Sequence, residues 1–249
     1  GALVIGTAFP HLIKGLTSTL HWKIVLWSTS SLAFVGGLLM FTLVPNGPYR
    51  KPGQKLDLSA FFKVFENRDF RSAAFGYFGH MWELYAFWAF VPVILTTYAD
   101  VHPESIPNVP FLSFSIIGIG GIACVIGGYV SLKAGAKKTA AVALLLSCLC
   151  CVASPLMLGS DSIIIIVAFL LFWGMVVVAD SPLFSTLVAR NAPAESKGTA
   201  LTIVNCIGFS ITIISIQILV ALKDFINPTY LFLILALGPF LGLMALYRK

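Results

Sequence analysis

Residues 162–188 read SIIIIVAFLLFWGMVVVADSPLFSTLV, and the only charged side chain in this stretch is that of Asp180. A helix of about 20 apolar residues crosses the roughly 30 Å hydrocarbon core of a bilayer. A helix that is apolar on every side lies in a protein core or in a membrane. The stretch therefore predicts a transmembrane helix and places Asp180 inside it.

The composition of the whole chain agrees with this prediction. Of its 249 residues, 58% are hydrophobic and only 10% are charged, and the mean hydropathy is +0.94. A soluble domain has about 25% charged residues, so this chain cannot cover a water-facing surface of the size its length implies. A soluble enzyme, a nucleic-acid-binding domain and a disordered tail are excluded. The sequence predicts an all-α, polytopic membrane protein with no nucleic-acid partner.

Seven apolar runs predict seven full transmembrane helices. They are expected at 23–44, 70–98, 109–132, 138–158, 162–188, 198–222 and 229–247. The opening segment 1–14 is apolar but too short to cross a bilayer. Since the chain begins with Gly, we interpret this segment as the end of a truncated helix and the chain as part of a longer protein.

Basic residues mark one side of the membrane. Most of the 16 lysines and arginines fall on every second connector, and this alternation indicates the cytoplasmic side. They are Arg50, Lys51, Lys55, Lys63, Arg68 and Arg71 in or beside the connector 45–69, Lys133, Lys137 and Lys138 in the next basic turn, Arg190 and Lys197 in the third, and Arg248 and Lys249 at the C-terminus. The C-terminus is therefore expected to be cytoplasmic, and the net charge of +6 reflects topology.

The connector 45–69 is the only long one. Its apolar residues Leu58, Phe61, Phe62 and Phe65 recur at helical spacing, which predicts an amphipathic helix at the cytoplasmic interface. The alternative is a simple extension of the following transmembrane helix.

Two carboxylates, Glu83 and Asp180, lie deep in predicted spans. A charge at the centre of a membrane helix costs roughly 3 kcal/mol, so such residues usually face a cavity or a partner. At 1.5 Å per residue they lie about 18 Å and about 15 Å from the basic ends of their helices. His80 precedes Glu83 by three residues and shares its face. This pair can exchange a proton near neutral pH, or it can be a structural hydrogen bond between helices.

Other polar and aromatic residues are candidates for the same region. Pro182 is expected to interrupt the helix beside Asp180, where freed carbonyls suit a cation, a bend or a local cap. We expect Asp180 to line a cavity. Asn205 is the candidate to contact a substrate, and Trp82 and Tyr85 are candidates to line the substrate pocket. Packing alone also explains aromatic residues in a span.

No cofactor or metal site is expected. The segment 118–123 fits a dinucleotide-binding pattern, but it lies in an apolar span with no strand before it. Gly120, Cys124 and Gly128 instead predict a stripe of small residues that admits a neighbouring helix. The cysteines within spans are interpreted as small apolar residues.

The turn 128–138, GYVSLKAGAKK, resembles the signature loop of the major facilitator superfamily, G-x-x-x-D-R/K-x-G-R/K-R/K-R/K. The matching residues are Gly128, Lys133, Gly135, Lys137 and Lys138. Leu132 and Ala136 depart from the pattern, as is common in the second of the two copies of this loop. The resemblance implies that the loop takes part in conformational change, and the departures weaken that implication.

Three further stretches, 76–85 (GYFGHMWELY), 178–182 (VADSP) and 198–201 (GTAL), resemble a bacterial branch loosely labelled nitrate- or cyanate-type permeases. This resemblance implies a twelve-helix fold, with 1–44 as the end of the N-terminal bundle, 45–69 as the central loop and 70–249 as the C-terminal six-helix bundle. The missing N-terminal half would be a partner. This half alone does not support nitrate as the substrate, because no arginine lies inside one of its spans, and the missing half could supply an anion-binding arginine.

The expected function is secondary active transport of a small solute by alternating access, in the bacterial inner membrane and not as an enzyme. Proton coupling through Glu83, tuned by His80, is the sharper hypothesis, with solute, protons and lipid as partners. The alternatives are an uncoupled facilitator or channel and a non-transporting membrane receptor.

Overall fold

The computed structural model of the chain describes residues 2–45, 63–102 and 108–248, and it is helical, without strands, over these ranges. Seven of the described helices are long and apolar enough to cross a membrane, and a shorter apolar helix precedes them. The predicted all-α, multi-pass membrane fold with seven full spans is confirmed.

Most of the helices follow one another through short connections, and the exception is the stretch between Leu43 and Arg68. They are α1 (Ala2–Leu16), α2 (Lys23–Leu43), α3 (Arg68–Val101), α4 (Val109–Ala134), α5 (Ala136–Leu158), α6 (Ile163–Asn191), α7 (Lys197–Leu222) and α8 (Pro228–Tyr247).

Three of these spans are not continuous α-helices. The span α4 is interrupted at Ile119 and α6 at Asp180, and α8 contains a 3₁₀ segment over Phe232–Ala236. The interruption of α6 agrees with the effect expected from Pro182, which has no backbone N–H to donate into the preceding turn. Asp180 therefore lies where the regular hydrogen-bonding pattern of its helix stops.

Helix α3 occupies the centre of the bundle, where it packs against α4, α6, α7 and α8. It begins at Asn67, whose side-chain oxygen accepts the backbone N–H groups of Asp69 and Phe70 at 2.9 and 3.1 Å and caps the helix. The closest neighbour is α8, because a Cβ on Gly79 would collide with the carbonyl of Gly238. The central position of α3 places Glu83 and His80 among side chains from several helices.

The first two helices lie apart from this centre. Helix α1 packs against α4, where the side chain of Asn108 donates to the carbonyl of Gly15 at 3.0 Å. Helix α2 has no buried residue, although it is apolar. Most of the predicted amphipathic helix in the connector 45–69 falls on residues 46–62, which lie outside the described residues.

The predicted stripe of small residues on α4 is correct in part. A Cβ on Gly120 would collide with Val178 of α6, so this glycine does admit a close neighbour. A Cβ on Gly128 would meet open space. Gly127 takes its place in the stripe, because a Cβ added there would lie 3.1 Å from the carbonyl oxygen of Ala179. Seven residues return almost to the same side of a helix with 3.6 residues per turn, whereas eight overshoot it by about 80°.

Candidate functional site

Glu83 is fully buried at the centre of the bundle, and one of its carboxylate oxygens accepts three hydrogen bonds. Ser147 Oγ donates to Glu83 Oε1 at 2.5 Å, Trp173 Nε1 at 2.6 Å and Cys151 Sγ at 3.2 Å. The donors come from α5 and α6, so a single oxygen atom connects three helices.

Local structure explains how these donors converge. Ser147 and Cys151 are four residues apart in α5 and therefore lie on the same face of the helix. The indole of Trp173 packs on Phe87 with ring centroids 4.6 Å apart and meets Phe232 edge-on at 6.3 Å. These aromatic contacts hold the indole N–H toward the carboxylate.

The second oxygen of Glu83, Oε2, has no hydrogen-bond partner among the described residues. A buried polar atom without a partner costs free energy comparable to a lost hydrogen bond. A proton on Oε2 would not displace any of the three donors, because all of them contact Oε1. The arrangement therefore accommodates both the neutral and the ionised carboxyl group.

His80 pairs with Asp180 and not with Glu83, the partner that the sequence suggested. Its Nδ1 lies 2.9 Å from Asp180 Oδ1, and both side chains are about 1% exposed. Residues three apart on a helix point about 60° away from each other. On α3 this rotation is sufficient to aim Glu83 at α5 and the first half of α6, while His80 faces the interruption of α6.

The interruption of α6 at Asp180 leaves one backbone carbonyl, that of Val178, without its usual helical donor. Pro182 cannot donate to the carbonyl of Val178, four residues earlier. The thiol of Cys124 on α4 approaches that carbonyl at 3.5 Å, and the backbone N–H of Asp180 also donates to it. The freed carbonyl is thus satisfied locally.

A tyrosine connects the His80–Asp180 pair with the exposed face of α7. The ring of Tyr77 lies 6.1 Å from that of His80, and its hydroxyl donates to Asn205 Oδ1 at 3.1 Å. Phe184 covers another side of the imidazole, also at 6.1 Å. Asn205 itself is exposed, so a chain of contacts runs from an open helix face to the buried pair.

The two aromatic candidates lie on different sides of α3. Tyr85 contacts Trp88 and, at 5.6 Å, Phe209 of α7, so it shares the α3–α7 side with Asn205. Trp82 donates through Nε1 to Ile234 O of α8 at 3.2 Å. The structure thus groups Tyr85 with Asn205 and places Trp82 at another helix contact.

The basic turn between α4 and α5 is a single-residue link. Gly135 has φ of +85°, a conformation that favours glycine, and its N–H donates to Ser131 O at 3.0 Å. Lys137 extends over the ring of Tyr247, with Nζ 5.9 Å from the centroid, so the turn contacts the end of α8. Lys133 is exposed, and Lys138 lines a groove between α4, α5 and α6. The carbonyl of Gly128 accepts the hydroxyl of Ser131 at 2.7 Å, and a Cβ added to this glycine would meet no atom within 4 Å.

Glu83 and Asp180 do not line open space in this conformation, because both are buried with at most about 1% of the side chain exposed. His80, which contacts Asp180, precedes Glu83 by three residues, about 4.5 Å along the helix. The two carboxyl groups therefore occupy similar depths, as their distances from the basic helix ends suggest. Among the described residues, no cluster of His, Cys, Asp and Glu is suited to hold a metal ion.

The sequence does not predict the three donors to Glu83. The prediction that the cysteines within spans are only small apolar residues is wrong for Cys151, since its thiol contacts the carboxylate. The spacing of Ser147 and Cys151 was an available signal. Their orientation toward α3 depends on helix packing, which the spacing does not give.

The family comparison agrees with this architecture. The family model described as Major Facilitator Superfamily matches residues 1–216. No curated protein matches the chain. With most of its length matched, and with seven membrane-length apolar helices in its described ranges, the chain belongs to the Major Facilitator Superfamily of membrane transporters.

Proposed function

We propose that the chain is the C-terminal part of a proton-coupled secondary transporter of a small solute, with Glu83 as the residue that binds the proton. The observation that carries this proposal is the coordination of Glu83: three donors on Oε1 and none on Oε2, in a fully buried position. Protonation removes a charge from a membrane helix, where a charge costs roughly 3 kcal/mol.

Coupling requires that the carboxyl group respond to a rearrangement of helices. The donors to Glu83 belong to α5 and α6, while Glu83 belongs to α3. Any motion that separates α3 from these helices removes donors from the ionised carboxylate and favours its protonation. Alternating access of two bundles about a midplane site provides such a motion.

The other titratable groups near Glu83 are Cys151, which contacts it, Cys148 and Cys150 on the same helix as Cys151, His80 one turn earlier on α3, and Asp180 of α6. No lysine or arginine forms an ion pair with Glu83 within the part of the chain that the structure describes. We propose that His80 and Asp180 connect proton binding to the solute site, through the contacts of Tyr77 with His80 and Asn205.

We propose that the solute binds on the α3–α7 side, where Asn205 and Tyr85 lie, and that an N-terminal half completes the cavity. The basic connectors favour a cytoplasmic C-terminus, and the resemblance to bacterial permeases favours the bacterial inner membrane. Under this proposal the signature loop, with Lys133, Lys137 and Lys138, lies on the cytoplasmic side.

The test uses the full-length protein in proteoliposomes that contain a pH-sensitive dye. Small anions, amino acids and sugars are first screened for thermal stabilisation of the purified protein, and those that stabilise it are tested for flux. We expect an inward proton gradient to drive solute accumulation. Glu83→Gln should abolish accumulation and proton movement while downhill flux continues. The matched control is Asp224→Asn, an exposed carboxylate in a loop, which should behave as wild type.

Each alternative has its own result. An uncoupled facilitator equilibrates the solute, and a protonophore leaves its final level unchanged. A membrane receptor is stabilised by a ligand but shows no flux. Accumulation by Glu83→Gln at the wild-type level would refute the role of Glu83 while leaving transport itself intact.

A further inference from the structure

Three arginines line one open groove at the basic end of the bundle. Arg68 and Arg71 come from the start of α3, and Arg248 directly follows α8. The groove has a volume of about 1310 Å³. Its other lining residues are mostly apolar: Ser72, Phe75, Leu241, Met244, Ala245 and Tyr247.

The apolar part of this groove continues toward the middle of the membrane. Phe75 and Leu241 also line a second groove of about 270 Å³, which lies between α3, α7 and α8. Phe75 is 47% exposed and Leu241 is 52% exposed, so both present apolar surface that the described helices do not cover. Phe75 follows Arg71 by one turn of helix, which places the apolar surface immediately below the cations.

The arginines form no ion pair within the described ranges of the chain. Arg71 donates to the carbonyl of Phe65 at 3.4 Å, a long hydrogen bond. The nearby carboxylate of Asp69 lines a different groove, together with Lys137. Among the described residues that line the groove there is no carboxylate, so these residues present positive charge beside an exposed apolar surface.

We propose that this groove binds one anionic phospholipid from the leaflet at the basic side of the membrane. Guanidinium groups bind phosphate oxygens through paired, charge-assisted hydrogen bonds, and basic pockets between transmembrane helices bind anionic headgroups. The phosphate lies at Arg68, Arg71 and Arg248, and an acyl chain runs along Phe75 and Leu241. A free anion would use only the cations, whereas a lipid uses both surfaces. This inference is independent of the proposed proton coupling.

Native mass spectrometry of the purified full-length protein tests the proposal. The protein is titrated with dioleoyl phosphatidylglycerol and, separately, with dioleoyl phosphatidylcholine, which has the same acyl chains and no net charge. We expect one phosphatidylglycerol to bind in preference to phosphatidylcholine. Each basic residue near an anionic lipid contributes a factor of about five in affinity, so Arg71→Gln with Arg248→Gln should weaken this binding about 25-fold.

Two further variants separate a specific site from general attraction. Arg190→Gln removes an exposed charge at the end of α6, away from the groove, and should leave the preferred lipid bound. Leu241→Trp fills the apolar part and should weaken binding with all arginines present. Equal binding of the two lipids, an equal effect of Arg190→Gln, or no effect of Leu241→Trp would each overturn the proposal. Inorganic phosphate that displaces the lipid at equal concentration would do the same.

Discussion

The indole Nε1 of Trp173 lies 2.6 Å from Oε1 of Glu83, and it thereby ties α6 to α3 in the interior of the bundle. Trp173→Phe retains the aromatic packing on Phe87 and removes this donor. Hydrogen bonds to charged or buried groups contribute about 1–3 kcal/mol, and we expect the free energy of unfolding to fall by about this amount. Reversible unfolding in mixed micelles measures it.

The chain offers a control for that substitution. Trp88 is also buried, but its Nε1 has no partner among the described residues. Trp88→Phe makes the same change in side-chain size, but the N–H that it removes has no acceptor among the described residues. Its destabilisation should therefore be smaller than that of Trp173→Phe. If both variants lose equal stability, the hydrogen bond to Glu83 contributes nothing beyond packing.

Cys151 should depend energetically on Glu83. In a double-mutant cycle, Cys151→Ala should destabilise the wild-type background more than the Glu83→Gln background. Contacting residues show coupling free energies of about 0.5–3 kcal/mol. The neighbouring Cys150 is also buried, but the hydrogen bond to Glu83 comes from Cys151, so Cys150→Ala should show a smaller coupling energy than Cys151→Ala. A coupling energy near zero for Cys151 would contradict the observed contact.

The pairing of His80 with Asp180 predicts an asymmetry between single and double substitutions. Removal of one partner from a buried polar pair leaves the other side chain without a partner, at a cost of about 1–3 kcal/mol. Asp180→Asn and His80→Phe should each be strongly destabilising, while the combined variant should lose less than their sum. Unfolding midpoints measure this, with the exposed Asp224→Asn as reference. Additive losses would show that the two groups do not interact.

Pro182 should influence the flexibility of α6. Pro182→Ala supplies the missing backbone N–H, which can then donate to the carbonyl of Val178 and make the helix continuous. We expect slower transport with little change in solute affinity. Pro155, inside α5, offers the same substitution away from the His80–Asp180 pair. Unchanged transport by Pro182→Ala, or equal slowing by Pro155→Ala, would show that the interruption of α6 has no specific role in the transport cycle.

The close contact of α3 with α8 should tolerate no side chain at Gly79. Gly79→Ala places a Cβ against the carbonyl of Gly238, and overpacking of this kind costs about 1–3 kcal/mol. Gly128→Ala is the control, because nothing lies within 4 Å of the added atom. Thermal unfolding of the two variants distinguishes them, and equal midpoints would contradict the close approach of these helices.

Hydropathy predicted the spans well because the bilayer sets their length and composition directly. The burial of Glu83 and Asp180 was also foreseeable, since a carboxylate in an apolar run has few alternatives. The partners were not foreseeable. Whether His80 meets Glu83 or Asp180 depends on the rotation of α3 against α6, and no local pattern in either helix contains that angle.

The single-residue connection between α4 and α5 restricts how the bundle can rearrange. One residue extends the chain by at most about 3.6 Å, so the ends of these two helices at Gly135 cannot separate. Their remaining relative freedom is rotation about the backbone of that glycine. The two helices and Gly135 form a helical hairpin. Its α5 supplies Ser147 and Cys151 to Glu83, and its α4 supplies Cys124 to the carbonyl of Val178 at the interruption of α6. A displacement of this hairpin must therefore change the surroundings of both buried carboxyl groups in the same step.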